Sequence, residues 1–356
     1  MPSAPQNLPP NGRGAGGNPK NRFEKLEFVP DPDAELSPDD EPRPLRTQFL
    51  RDASQSIIAY NNSPDLGFDA SLNPYRGCEH GCAYCFARPT HEFLGFSAGL
   101  DFETKIVVKE NAPELLRAEL SAKKWKPQTL VMSGVTDCYQ PAERKLEVTR
   151  RCLAVMAEFR QPVAIITKNH LVTRDIDHLK VLADVSAAMV NISITTLDAN
   201  LGKTLEPRAS SPNRRLAAIE ELSAAGIPVR VLMAPCIPGL TDHEMPSIFA
   251  AAAKAGAQFG GYVALRLPGA VAPIFEEWLE RVVPGQKEKI LSRVRSLRGG
   301  KLNDPRFGSR LRGEGVFADE IRELFRISRH RTKLRDDFPE LSIKAFRVPT
   351  DQMSLF

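Results

Sequence analysis

Long apolar runs are missing from this 356-residue chain, and none approaches the roughly 18–20 residues that cross a membrane. The first residues carry proline and glycine where a secretory signal needs an apolar stretch, so the expected location is cytoplasmic. Cysteine is scarce, six in all, and in a reducing compartment these six do not make a disulfide framework. There is no second CxxC pair and no second multi-cysteine motif, which removes the usual two-pair zinc site and an auxiliary cluster. No glycine-rich dinucleotide fingerprint opens any strand–helix unit, which argues against a nucleotide-binding doubly wound sheet.

Charge is unevenly placed. Residues 281–356 hold 18 Lys/Arg against 10 Asp/Glu, a net of +8, whereas the whole chain carries only +4. Residues 281–312 alone have ten basic and two acidic side chains. Such an asymmetry suits a polyanionic partner, nucleic acid first, and equally suits a solvated basic surface or a cover over an open barrel side. Phe307, Phe317 and Phe325 are the only rings near this run, so it favours phosphate attraction over base stacking.

Residues 1–50 are rich in proline and glycine, with ten prolines before residue 45 and the run Asn11-Gly12-Arg13-Gly14-Ala15-Gly16-Gly17. With an acidic patch from Asp31 to Glu41, this segment is expected to be disordered. Beyond Asp69, short apolar runs alternate with helical patterns. Strands are predicted at Ala70–Tyr75, Gln128–Met132, Val163–Thr167, Val190–Thr195, Pro228–Met233 and Gly261–Leu267. Helices are predicted near Ala112–Ala122, Ala142–Phe159, Thr173–Ala183, Pro212–Ala225 and His243–Lys254. Each interval leaves room for a crossover helix and so implies a parallel sheet. The fold class expected is α/β: a partial (β/α)6 TIM-like barrel over 60–270, then a basic extension over 271–356. Polar residues gather after every predicted strand, and in parallel barrels those carboxyl ends build the active site.

Cys78, Cys82 and Cys85 lie after the first of these strands, separated by three and then two residues. Thiols so close can wrap one soft metal centre. On a cubane [4Fe–4S] cluster they leave one iron open to a small molecule. The alternative is zinc completed by His80 or His91. The bland reading of both histidines is loop-shaping.

The cysteine spacing, with aromatic Tyr84 just before the third thiol, resembles the cluster loop of the radical S-adenosylmethionine (SAM) superfamily. The likeness spans about residues 69–268. Neighbouring text, from Asn73-Pro74-Tyr75-Arg76-Gly77 through Arg88-Pro89-Thr90-His91-Glu92 to Asp101-Phe102-Glu103-Thr104-Lys105-Ile106, is similar to a largely uncharacterised bacterial subgroup related to spore photoproduct lyase. The resemblance implies a [4Fe–4S] cluster on Cys78, Cys82 and Cys85, with S-adenosyl-L-methionine chelated at the open iron. It also implies reductive cleavage to a 5′-deoxyadenosyl radical and a reductant such as flavodoxin or ferredoxin. Tyr84 would then contact adenine. The second strand end reads Ser133-Gly134-Val135-Thr136-Asp137 where the superfamily often has Gly-Gly-Glu, so Thr136 and Asp137 become candidates for the methionine amino group. Lys168 and Arg208 are candidates for its carboxylate, Ser193 or Thr195 for ribose or methionine, and the turn Pro235–Gly239 for adenine. On residue type alone the two cations are as readily surface charges, and Tyr84 a packing residue.

Cys138 is either a hydrogen-atom donor near the mouth or a small buried residue; Cys152 reads as core, and Cys236 as either. The expected activity is hydrogen abstraction from an unidentified substrate, a nucleic-acid base or lesion being one candidate. The alternatives are modification of a protein or small metabolite, and a non-catalytic iron–sulfur protein.

Overall fold

The structure, a computed structural model, describes residues 12–25, 45–337 and 340–349. The described residues form ten strands: Gln48–Arg51 (β1), Ile58–Tyr60 (β2), Ala70–Leu72 (β3), Tyr75–Arg76 (β4), Lys105–Val108 (β5), Leu130–Met132 (β6), Val163–Thr167 (β7), Ala188–Ser193 (β8), Val229–Cys236 (β9) and Phe259–Ala264 (β10). Seven lie in one sheet ordered β10-β9-β8-β7-β6-β3-β2. Six of these are parallel neighbours in chain order, and β2 adds antiparallel to the first. The sheet does not close on itself, so the expected six-stranded partial barrel is what forms. β7 and β8 are apolar and almost wholly buried, as strands covered on both faces must be.

Helices between the strands bury one stripe against this sheet. In Ala112–Ser121 the stripe is Ala112, Leu116 and Leu120, four residues apart, and it faces helix Val148–Phe159. The single helix expected over Ala142–Phe159 is two, Glu143–Leu146 and Val148–Phe159, with Glu147 left-handed at φ 50° between them. Glu143 explains the break. Its carboxylate accepts from the backbone N–H of Thr149 (3.0 Å) and Arg150 (3.2 Å) and so caps the second helix. Gly226, at φ 78°, stops helix Pro212–Ala224 before β9, as its glycine–proline punctuation implies.

Residues 1–11 and 26–44 of the segment expected to be disordered lie outside the described residues. Residues 12–25 differ from that expectation, because they are packed against the cysteine loop. Gly14 and Ala15 donate backbone N–H bonds to the buried Glu103 carboxylate at 3.1 and 2.9 Å. Arg13 reaches the Glu103 carbonyl at 2.7 Å, and Asn21 that of Glu92 at 2.9 Å. A Cβ on Gly14 would stand 1.8 Å from the Gly81 carbonyl oxygen. Glycine is therefore what lets the two backbones meet, and low complexity here is a packing requirement.

The basic extension is packed too. Its helices Val271–Val282 and Lys287–Leu297 form a second apolar core with Cys82, Ala83 and Tyr84 through Phe275, Trp278 and Leu291. Further on, the chain runs along the free side of β10. Ala264 and Gly260 donate to the carbonyls of Leu311 and Arg335, both at 2.8 Å. No helix among the described residues is long and apolar enough to cross a membrane.

Candidate active site

The carboxyl ends of the six parallel strands open into one cavity of about 370 Å³. Cys78, Cys82 and Cys85 line it, together with Tyr84, Thr136, Asp137, Lys168 and Ser193. Five of the six side chains expected around SAM are thus brought to the three thiols. The sixth, Arg208, is not among the lining residues. Its guanidinium lies 3.0 Å from the Glu79 carboxylate and 3.5 Å from the Thr47 hydroxyl, and its own N–H donates to the His80 carbonyl. The buried Glu79 holds that cation behind the loop, which accounts for the departure.

The thiols fit a cluster better than a single ion. Among the described residues no three His, Cys, Asp or Glu side chains gather closely enough to hold one metal ion. Of the two histidines of the zinc alternative, His80 is engaged by other side chains and His91 is not among the residues that line the cavity. The His80 ring sits between Asn169 Nδ2 (3.2 Å) and Asp137 (3.4 Å). His91 packs against Phe96 and Phe102, with ring centroids 5.2 and 5.6 Å away. Burial raises all three thiols above their ordinary range. Asp137 adds to this at Cys78 and Glu206 at Cys82, while Arg88 and Lys168 oppose it at Cys85. Thiolates here call for a strong local positive charge, which bound iron supplies.

Asp137 accepts from the Thr167 hydroxyl and the Lys168 backbone N–H, both at 2.8 Å. Burial pushes its pKa up, but the His80 ring and these bonds outweigh it and hold the carboxylate below its usual range. Thr136 turns its hydroxyl to the Tyr75 carbonyl at 2.7 Å. Lys168 donates to the Ala234 carbonyl at 3.0 Å and stands 5.9 Å from the centre of the Tyr84 ring. Ala234 and Pro235 of the fifth-strand turn line the cavity as well. Cys138, Cys152 and Cys236 are fully buried in the main core and are not among the lining residues, a placement that fits the packing reading of each.

Sequence reading missed Glu206. This buried carboxylate accepts from the Tyr84 hydroxyl, from Thr195 Oγ1 at 2.9 Å and from the Arg215 guanidinium. Burial alone would raise Glu206, yet Arg215 and Lys168 keep it well below the usual carboxylate range. Arg215 also donates to the carbonyls of Ser210 (2.8 Å) and Ser193 (2.9 Å), tying the fourth strand end to the same network. Tyr84 is thereby locked as a neutral phenol, its pKa raised by burial and by Glu206. A second missed pair, Arg88 and Glu103, is fully buried at 2.6 Å. Arg88 also clamps the Cys82 carbonyl with Nε and Nη2 at 3.0 and 2.9 Å.

The Radical SAM superfamily model matches residues 72–252, half of the chain. The chain belongs to the radical SAM superfamily. Its members are iron–sulfur enzymes that use a [4Fe–4S] cluster, SAM and a reductant, and this chain is a radical SAM enzyme. An uncharacterised protein of Mycobacterium tuberculosis (strain H37Rv) is 36% identical over 254 residues, covering 70% of this chain and 74% of that protein. An uncharacterised protein of Methanocaldococcus jannaschii is 32% identical over 173 residues, covering 49% and 62%. Among solved structures, a spore photoproduct lyase variant superposes with a TM-score of 0.58 at 15% identity, covering 86% of this chain and 85% of that one. Another spore photoproduct lyase, with bound SAM and dinucleoside spore photoproduct, gives 0.58 at 15% identity over 80% and 78%. At such identity the likeness is one of fold.

His91 carries a pH dependence. Burial pulls its pKa down to about 4, whereas in an unfolded chain the imidazole titrates near 6.5. The unfolded state therefore binds the proton first, and stability is lost as pH falls from about 6.5 toward 4. By pH ~5 this amounts to about 2 kcal/mol. Urea midpoints between pH 7 and pH 5 should fall more steeply for the wild type than for His91→Phe. Equal slopes would show that His91 does not titrate in this way.

Proposed function

We propose that this enzyme reductively cleaves S-adenosylmethionine and that the product radical takes a hydrogen atom from a substrate held in the strand-end cavity. The observation that carries this reading is the meeting of three loop thiols with Tyr84, Asp137, Lys168 and Ser193 around one cavity. When bound, the reduced cluster supplies the electron that breaks the S–C5′ bond of SAM, yielding methionine and the 5′-deoxyadenosyl radical.

The protein's part is to bind, orient and exclude water. Cys78, Cys82 and Cys85 would hold the cluster, leaving one iron for the amino and carboxylate groups of SAM. Asp137, kept ionised and fixed by Thr167 and Lys168, is suited to accept from the N–H groups of the methionine amine. Lys168, with one hydrogen bond to Ala234, is suited to the carboxylate. Tyr84, immobilised by Glu206, offers its ring to adenine, and the Ala234–Pro235 turn offers its backbone. Ser193 completes the ribose side.

The test is anaerobic reconstitution with iron and sulfide, followed by dithionite and SAM. Formation of 5′-deoxyadenosine supports the proposal. An intact cluster that leaves SAM uncleaved would instead make the chain a non-catalytic iron–sulfur protein.

A nucleic-acid base is the second substrate reading, since the spore photoproduct lyase of like fold binds a dinucleoside photoproduct. The basic extension lends it less than its charge suggests. Arg298 is spent on the carbonyls of Ala264, Leu265, Ser309 and Arg310, and Arg306 on Asp304 and Glu314. Arg322, Arg326 and Arg329 each pair with a carboxylate at 2.6–2.8 Å. Salt-dependent DNA or RNA binding, lost on reversing charges across Arg293–Arg312, would support the reading; salt-insensitive or absent binding would remove it.

A further inference from the structure

Arg266, just beyond β10 and three strands along the sheet from the β7 end that carries Lys168, lines the cavity together with Phe86 and Arg310. Its guanidinium lies over the Phe86 ring, 4.8 Å from the centroid, and among the described residues it makes no hydrogen bond or ion pair. Arg310 arrives from the basic extension and is held by Asp65 through Nε (2.7 Å) and Nη2 (2.6 Å), while its Nη1 makes no hydrogen bond among the described residues. Two carboxylates stand against three guanidinium groups here: Asp65 is paired with Arg310, and Asp304 acts on the carbonyl-bound Arg298. A guanidinium drawn out of water without an anion is costly. Contact with the Phe86 ring uses none of the N–H donors of Arg266, so its fork is left for an oxyanion, which a guanidinium can take in a bidentate fashion.

We infer that Arg266, backed by Arg310, is the subsite for an oxyanion carried by the substrate, a phosphate monoester or a carboxylate, whose body lies toward Phe86 and the thiols. The inference rests on the proposed radical SAM reading and deepens it by naming the substrate's charge. Lys168 is a different cation with a different task. It acts electrostatically on Cys82, Cys85 and Glu206, whereas Arg266 acts on Arg310, Arg298 and Asp65. The cavity thus holds two positive regions, one for SAM and one for the molecule that meets it. Burial, reinforced by Arg310, lowers the Arg266 pKa, and the opposing pull of Asp65 does not make this up.

The experiment is calorimetric titration of inorganic phosphate, and separately of acetate, into the reconstituted holoenzyme without reductant, with and without saturating SAM. Saturable binding in the presence of SAM is expected, weakened at least tenfold in Arg266→Gln and unchanged in Arg329→Gln. Tighter phosphate binding points to a phosphorylated substrate and tighter acetate binding to a carboxylic acid, and either supports the subsite. Arg266→Lys keeps the charge and loses the fork; it serves if the glutamine variant fails to fold, and it too should bind at least tenfold more weakly. Binding of neither anion, binding indifferent to both substitutions, or binding abolished by SAM would overturn the inference. The wild type's 5′-deoxyadenosine yield is read separately, so failure of SAM cleavage and failure of the subsite are told apart.

Discussion

Cys82→Ala, reconstituted anaerobically with iron and sulfide, should hold no [4Fe–4S] chromophore and form no 5′-deoxyadenosine above the SAM-only background. The change should cost the cluster without costing the fold. The loop around Cys82 is fixed through its backbone, by two Arg88 bonds to the Cys82 carbonyl and by the Ala83 N–H donating to the Leu205 carbonyl at 3.1 Å. Those contacts survive loss of the sulfur, so far-ultraviolet circular dichroism of the variant should match the wild type. Cys152→Ala is the matched control, because Cys152 lies fully buried in the main core on helix Val148–Phe159. It should keep the cluster while losing some stability. A full cluster in Cys82→Ala, or an empty one in Cys152→Ala, would overturn the ligand assignment.

Arg88→Ala should lower unfolding stability by about 3–5 kcal/mol, read as a shift of the urea midpoint, since it leaves a carboxylate buried without its cation. Arg88 and Glu103 are both wholly inaccessible to solvent. The pair does more than cancel charge: Arg88 donates to the carbonyls of Cys82, Ala98 and Gly99, and Glu103 takes the N–H groups of Gly14 and Ala15. This second role has its own signature. If charge neutralisation were the whole contribution, Arg88→Met with Glu103→Met would recover most of the loss, as buried ion pairs replaced by apolar residues often do. Here the double variant should stay destabilised, because three carbonyls lose their donor. It should also retain less cluster per chain than the wild type after reconstitution.

The barrel was legible because its strands are apolar runs of the right length, separated by amphipathic stretches. Val163–Thr167 needed no adjustment at either end, and the punctuation at Gly226-Ile227-Pro228 marked a real stop. The cluster loop was legible because its three thiols are close in sequence. Glu206 was not, since its partners Tyr84, Thr195 and Arg215 come from three separate parts of the chain. Periodicity carries no trace of such convergence. The sole local sign was an acidic residue in Leu205-Glu206-Pro207-Arg208 at a helix end, and the cation two positions on drew the attention instead. The run Gly12–Gly17 misled for the opposite reason. Composition reads glycine as freedom, whereas Gly14 is held in place because a neighbouring backbone leaves no room for a side chain.

A barrel that stops at six strands ends in a strand with unpaired backbone groups on one side. Here the last strand, β10, borrows partners from the chain beyond it, at Leu311 and Arg335. A chain shortened before residue 300 would bare the N–H groups of Gly260 and Ala264, and a bare edge of this kind recruits a strand from another molecule. The same stretch that delivers Arg310 to the cavity therefore also keeps one copy of this enzyme from zipping onto the next.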